Sequence, residues 1–387
     1  MKKLSFYKPQ QVNAGRWIAS LLLVGFLFMT FVKPVQAAQP APANAEVAPS
    51  NPVPTLAYFY IWFDSTSWNR AKIDYPTLGR YSSDDRTVMR QQIEWAKAAG
   101  IKGFIVSWKS TDVLNRRLDQ LVSLAEEEDF KLVLIYQGLD FNRNPLPVDR
   151  INADLGVFTQ RYASRKPFAL FAKPLVIWSG TWKFSPEQIA QVSANHRKDI
   201  LLLASERSLD GYKRLASLVD GDAYYWSSVN PESFPNYPGK LAAMAEAVHK
   251  NGGLWIPPAA PGFDARLIGG TSVVDRKNGD TFRTQISTAL ASSPDALGII
   301  SWNEFSENSY IEPSKTYGAQ YLDILSEINH LPSPAIGEFD SSEPAGVFPA
   351  ISNSRKIAFG VMATLAITAL VVIARRSKPR SGNGSHS

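Results

Sequence analysis

The sequence predicts an α/β chain folded as a (β/α)8 TIM barrel, with an N-terminal signal peptide and a C-terminal transmembrane helix. Three observations predict the barrel. Between residues 55 and 330, short β-branched and aromatic runs alternate eight times with longer segments of helical period. The strand runs are almost wholly apolar, as a parallel sheet buried on both faces requires. Right-handed β-to-α connections repeated eight times close such a sheet on itself. An open doubly wound sheet is the competing topology. It normally carries a Gly-rich phosphate turn after the first strand, where this chain has Ile61, Trp62, Phe63, Asp64 and Ser65.

The first element is the signal peptide, residues 1–37. Lys2, Lys3, Lys8 and Arg16 precede an uncharged apolar run over 17–32, and Val35, Gln36, Ala37 and Ala38 supply the small residues a signal peptidase reads. An uncleaved anchor is the alternative, because sixteen apolar residues lie between a signal core and a full span. A Pro/Ala-rich linker follows at 38–54, and Pro40, Pro42, Pro49, Pro52 and Pro54 make it a stiff spacer.

Strands are expected at 56–60, 103–107, 132–136, 175–178, 200–204, 223–226, 253–256 and 297–301. Helices are expected at 84–99, 113–128, 149–162, 186–196, 210–218, 239–250, 281–291 and 317–328. In the first helix Val88, Gln92, Trp95 and Ala99 share one face, and Gly100 stops it. The barrel domain is assigned to 55–330. A second linker covers 331–354, a transmembrane helix 355–376 and a cytoplasmic tail 377–387. The uncharged stretch 357–374 rises about 27 Å as a helix, enough to cross a hydrocarbon core. Arg375, Arg376, Lys378 and Arg380 behind it set the orientation. A buried apolar helix and a removable sorting signal are the alternatives. These ends imply a protein exported and anchored in the cell membrane through its C-terminal helix, with the barrel outside the cytoplasm.

Composition narrows the chemistry. The 387 residues include no Cys and four His, which excludes a disulfide framework, a thiolate metal site and a cysteine nucleophile. No metal and no cofactor are expected. The net charge is +6, but the segments 1–54 and 331–387 hold eleven basic and four acidic residues. The remaining thirty basic and thirty-one acidic residues leave the barrel near neutral, so nucleic acid is not an expected partner.

A barrel places its active site at the strand C-termini. Those ends carry Tyr60, Trp62 and Asp64; Ser107, Trp108 and Lys109; Gln137 and Asp140; Trp178; Ser205, Glu206 and Arg207; Trp226; and Trp302, Asn303 and Glu304. Four of the ten tryptophans end a strand. Indole faces beside hydrogen-bonding side chains suit sugar rings, so a glycan or polysaccharide is the expected partner; rim packing is the bland alternative for any single one. After the eighth strand, Glu304, Glu307 and Glu312 fall within nine residues. Paired carboxylates, one protonated and one ionised, are what glycosyl transfer needs. A solvated acidic loop is the competing explanation.

The segment 301–313, with Trp302-Asn303-Glu304-Phe305-Ser306-Glu307 and Ile311-Glu312-Pro313, resembles the signature of glycoside hydrolase family 99, the endo-α-mannosidases and their relatives. Residues 58–62 are similar to that family's aromatic first strand and 101–108 to its second. Pro261, Gly262, Phe263 and Asp264, with Arg276 and Gly279, resemble its loop after strand seven. The resemblance implies a retaining glycosidase without a protein nucleophile. Glu304 would deprotonate the sugar's own 2-hydroxyl, which attacks C1, and Glu307 would serve as general acid and then base. The strand-end residues, with Asp264 from the resembling loop, make up a candidate substrate-binding set of Tyr60, Trp62, Trp108, Trp178, Glu206, Trp226, Asp264, Trp302 and Asn303. The chain departs from the family pattern at Lys109, Phe305, Ser306, Asn308 and Ser309. A non-catalytic glycan-binding or surface-display barrel is the alternative. Gly-x-Ser-x-Gly and Walker-type motifs are absent.

Overall fold

The computed structural model describes residues 53–336 apart from Ala71. The expected signal peptide, most of both expected linkers, and the expected transmembrane helix and tail lie outside the described residues. Among the described residues no helix is long and apolar enough to cross a membrane.

The barrel strands are β1 (Thr55–Tyr60), β2 (Ile101–Trp108), β3 (Lys131–Gln137), β4 (Leu175–Ser179), β5 (Leu201–Leu203), β6 (Gly221–Ala223) and β7 (Leu254–Ile256), with β8 (Pro258–Ala259) continuing β7. A hairpin of β9 (Phe263–Asp264) and β10 (Val273–Val274) follows, then β11 (Leu297–Ile299). Parallel pairing runs from β1 through β2, β3 and β4 to β5. A parallel bridge between Ala204 and Asp222 joins β5 to β6, which pairs with β7. Pro257 cannot donate to a ladder and divides that strand; its second half, β8, pairs with β11, and β11 returns to β1. The circuit of an α/β barrel is therefore complete.

The helices on its outside are α1 (Arg86–Ala98), α2 (Asp112–Glu127), α3 (Val148–Arg161), α4 (Pro186–His196), α5 (Leu209–Lys213), α6 (Tyr237–Lys250), α7 (Asp280–Leu290) and α8 (Gln320–Ile328). Their starts follow local chemistry. Asp85 caps α1 by accepting from the amides of Thr87 and Val88, and Ser185 forms a capping box with Gln188 on α4. Two differ from the sequence expectation by more than two residues. α8 begins at Gln320 rather than residue 317 because Gly318 sits at φ 52°, outside helical space. α5 ends at Lys213, and the next residues run in turns that bury Leu215 and Val219.

Strand parity divides the core into two layers. Leu56, Tyr58, Ile105, Val133, Ile135, Leu175, Ile177, Leu203, Ala223 and Ile256 form the cluster inside the barrel. Ala57, Phe59, Phe104, Val106, Trp108, Leu132, Tyr136, Val176, Trp178 and Trp302 form the larger layer between strands and helices. Phe59 stacks on Phe104 there with centroids 4.4 Å apart. The narrowest contact is at Gly221, whose φ of +147° and close approach to β7 would place a Cβ 2.1 Å from the Leu254 carbonyl oxygen.

Candidate active site

The inward parity of β1 carries Tyr60 to the mouth of the barrel, after Leu56 and Tyr58. Its backbone is held by the side chain of Asn303, which accepts from the Tyr60 amide at 2.9 Å and donates to the Tyr60 carbonyl at 3.0 Å. Asn303 also donates to the Tyr81 hydroxyl at 3.2 Å. The amide thus extends the ladder beyond the end of β11, and its side chain is fully occupied in placing Tyr60.

The loop after β11 folds back on itself. The Ser301 amide donates to Ser309 O at 2.7 Å, Glu312 N to Trp302 O at 2.8 Å, and Glu304 N to Ser301 Oγ at 2.8 Å. Arg276, buried over the rings of Tyr310, Tyr317 and Tyr321, donates through Nη2 to the carbonyls of Asn308 and Tyr310, both at 3.0 Å. The amide of Asp264 donates to Glu307 O at 2.8 Å. Phe305 is stacked on Tyr310 with centroids 3.9 Å apart and lies edge-on to Trp68. The loop is therefore a braced structure rather than a solvated acidic segment.

Within it Glu304 and Glu307 interact. Burial raises the Glu304 carboxyl above its ordinary value, while the Ser306 amide, 3.0 Å from Oε1, and the charge of Lys72 act against that rise. Burial, and then the charge of Glu304, push Glu307 up, while Arg143 and the Ser227 hydroxyl oppose the shift. Two neighbouring carboxyls that cannot both ionise easily share one charge. Tyr60 and Tyr225 sit beside both, their hydroxyls hydrogen-bonded to each other, and burial raises both phenols. Such a site can hold one carboxyl as an acid and the other as a base.

The third carboxylate, Glu312, lies elsewhere. It is buried against α1, accepting from Tyr81 Oη at 2.8 Å and Gln92 Nε2 at 2.7 Å, and burial pushes it up to about 8.

Of the residues expected from the sequence, Tyr60, Glu304 and Glu307 come together, and half-buried Trp62 stacks on Tyr60 at 4.2 Å. Trp226 is on the rim, its ring 4.2 Å from the guanidinium of Arg207. Trp108, Trp178 and Trp302 are sealed in the layer behind the strands and offer no face to a ligand. Trp108 and Trp178 occupy outward-facing positions on their strands. Trp108 donates to Asn115 Oδ1 at 3.0 Å, Trp178 packs on Phe184 at 4.7 Å and Trp302 on Phe104 at 5.2 Å. Glu206 is buried in an ion pair with Arg214 at 2.9 Å, and the Asp264 carboxylate is engaged by Arg266 at 2.6 Å. Tyr225, Arg143, Ser227 and Lys72 were not foreseen. Strand parity continued past Ala223 would have found Tyr225; the other three lie on irregular segments with no periodic signal. Among the described residues no group of three or more His, Asp or Glu is arranged to hold a metal ion.

A model of glycosyl hydrolase family 99 matches residues 63–332. The chain belongs to glycosyl hydrolase family 99. Relatives in the family include the human glycoprotein endo-alpha-1,2-mannosidase-like protein, 26% identical over 285 residues, covering 65% of this chain and 60% of the relative. The rat glycoprotein endo-alpha-1,2-mannosidase is 27% identical over 279 residues, covering 64% and 59%. The chain thus spans about three fifths of the length of these family 99 relatives. The solved GH99 endo-alpha-mannosidase of Bacteroides thetaiotaomicron superimposes with a TM-score of 0.63 at 19% identity, over 71% of this chain and 96% of that one. A glycoside hydrolase-like protein superimposes with a TM-score of 0.57 at 17% identity, over 71% and 93%. These two likenesses establish the shared fold.

Proposed function

We propose that this family 99 protein is a glycoside hydrolase that cleaves α-linked, mannose-type glycans with retention of configuration. The observation that carries the reading is the unequal environment of two interacting carboxyls. Glu304 has an amide donor and Lys72 to favour its ionised form, and Glu307 is raised by burial and by the charge of Glu304. The names of the mannosidase relatives supply the sugar class.

In this mechanism Glu304 removes the proton from the 2-hydroxyl as O2 attacks C1 from the face opposite the glycosidic bond. Glu307 gives its proton to the departing oxygen. The product is a 1,2-anhydro sugar and the released glycan. A water then attacks C1, Glu307 takes its proton, and Glu304 returns a proton to O2 as the strained ring opens. Two inversions at C1 give retention. The tyrosine pair, Tyr60 and Tyr225, lies where it can donate hydrogen bonds to sugar oxygens, and Trp62 offers a stacking face beside it.

Glu304→Gln and Glu307→Gln should each lower turnover of an α-mannosyl oligosaccharide by about 10²–10⁴-fold, with thermal unfolding unchanged. Product anomers followed by NMR should show retention; inversion would sink the mechanism, and undiminished turnover the assignment. Lys109, half-buried against Phe141 where the family pattern has Trp, favours a second reading as a glycan-binding barrel without turnover. Binding without cleavage by the wild-type chain would establish it.

The proposal includes export and membrane anchoring, supported by the two charge-flanked apolar stretches of the sequence. Fractionation of cells producing the full chain and a chain ending at residue 336 tests it: only the shorter one should leave the membrane fraction.

A further inference from the structure

Among the described residues, three loops at the mouth of the barrel converge on a cation that forms no ion pair. Arg207 follows β5, and its guanidinium lies 3.8 Å from the ring centroid of Trp182, which follows β4, and 4.2 Å from that of Trp226, which follows β6. The two indoles clamp it as a flat plate. Among the described residues no carboxylate forms an ion pair with it, and its Nε is buried without a hydrogen-bond partner. The adjacent acid, Glu206, is committed to Arg214 at 2.9 Å.

A second cation lies close by, and it faces the Glu307 carboxyl. Arg143 has a buried Nε without a partner and is held at φ 64° in a loop that Asp140 organises by accepting from the amides of Asn142 and Asn144, both at 2.8 Å. Arg143 and Arg207 repel each other, and burial together with that repulsion brings Arg207 down to about 10. Arg143 also faces Glu307 and Tyr225. Two cations left facing one another at a cleft raise the energy of the free protein, and an anion between them relieves it.

We propose that Arg207, clamped between Trp182 and Trp226, and Arg143 form a subsite for an oxyanion carried on the glycan: a carboxylate, sulfate or phosphate substituent. The planar donors of a stacked guanidinium fit such a group in a bidentate manner. The clamp fixes the side chain in advance, so little rotamer freedom is lost on binding. This rests on the glycan reading of the same cleft and specifies its substrate class.

The test measures equilibrium binding to the full chain carrying Glu304→Gln, so that nothing is turned over. The probes are a neutral α-linked mannotetraose and three counterparts bearing one carboxylate, sulfate or phosphate group. At least one charged probe should bind tenfold or more tightly than the neutral one, with a preference that weakens as salt is raised. Arg207→Gln should reduce that preference to less than threefold, Arg207→Lys should keep part of it, and Arg143→Gln should weaken it in a background where Arg207 is intact. Neutral and charged probes bound alike would overturn the subsite while leaving the glycan reading intact, as would a preference that survives Arg207→Gln. Charged probes bound preferentially yet never cut by the wild-type chain would leave the subsite standing and overturn the hydrolase reading.

Discussion

Glu307 is pulled in two directions, and the balance decides the pH at which the site works. Burial and the charge of Glu304 favour its acid form, while Arg143 and Ser227 favour the carboxylate. In the proposed mechanism Glu307 must hold its proton, so activity should fall as pH rises through the value set by that balance. Arg143→Met removes a contribution that favours the ionised form. The alkaline limb of kcat should therefore move to higher pH, measured on a neutral glycan. A limb that moves to lower pH would reverse the assigned influence of Arg143. The same residue scale shows where the sequence was mute: nothing in 138–147 distinguishes Arg143 from any surface arginine, because its meaning comes from a left-handed backbone turn.

At the scale of elements, two braces hold the loop that carries Glu304 and Glu307. Asn303→Ala would strand the buried Tyr60 amide and carbonyl, while the Tyr81 hydroxyl keeps its bond to Glu312, and should cost about 2–4 kcal/mol in chemical unfolding. Arg276→Ala frees the carbonyls of Asn308 and Tyr310 and removes a cation from three ring faces. Loosening the loop by an ångström should lower kcat by about a hundredfold, with KM changed far less; equal changes in both would point to lost binding instead. The order of strands and helices was legible because buried parallel strands and amphipathic helices write their periods into the sequence. Which face of each strand end looks into the cleft was less so. Trp108 and Trp178 sit at strand ends, as sugar-binding residues would, yet parity turns them towards the helices. Applying that alternation from Leu56 to Tyr60 and from Gly221 to Tyr225 separates the two tyrosines of the cleft from the tryptophans of the core.

For the whole molecule, the buried Glu312 makes stability depend on pH. Its folded value of about 8 lies above its ordinary 4.5, so between those limits the folded chain binds more protons than the unfolded one. Stability is fully present below the lower value and is lost as pH rises through the window, at up to about 1.4 kcal/mol per pH unit. Glu312→Gln keeps a neutral acceptor for Tyr81 and Gln92. Thermal unfolding of the variant should lose less stability than wild type between pH 5 and 8, and identical slopes would refute the buried-acid account. Gly221→Ala tests barrel closure on the same footing: a Cβ 2.1 Å from Leu254 O at φ +147° should destabilise by at least about 2 kcal/mol.

The amide bridge from Asn303 to Tyr60 links residues 243 positions apart. The proton-handling loop and the strand that supports it thus come from opposite ends of the barrel's sequence, and neither is in place until the last strand has docked on the first. A chain still emerging from the ribosome holds no assembled pair of carboxyls until the last barrel strand has been made. Any hydrolysis it performs must wait for the barrel to close.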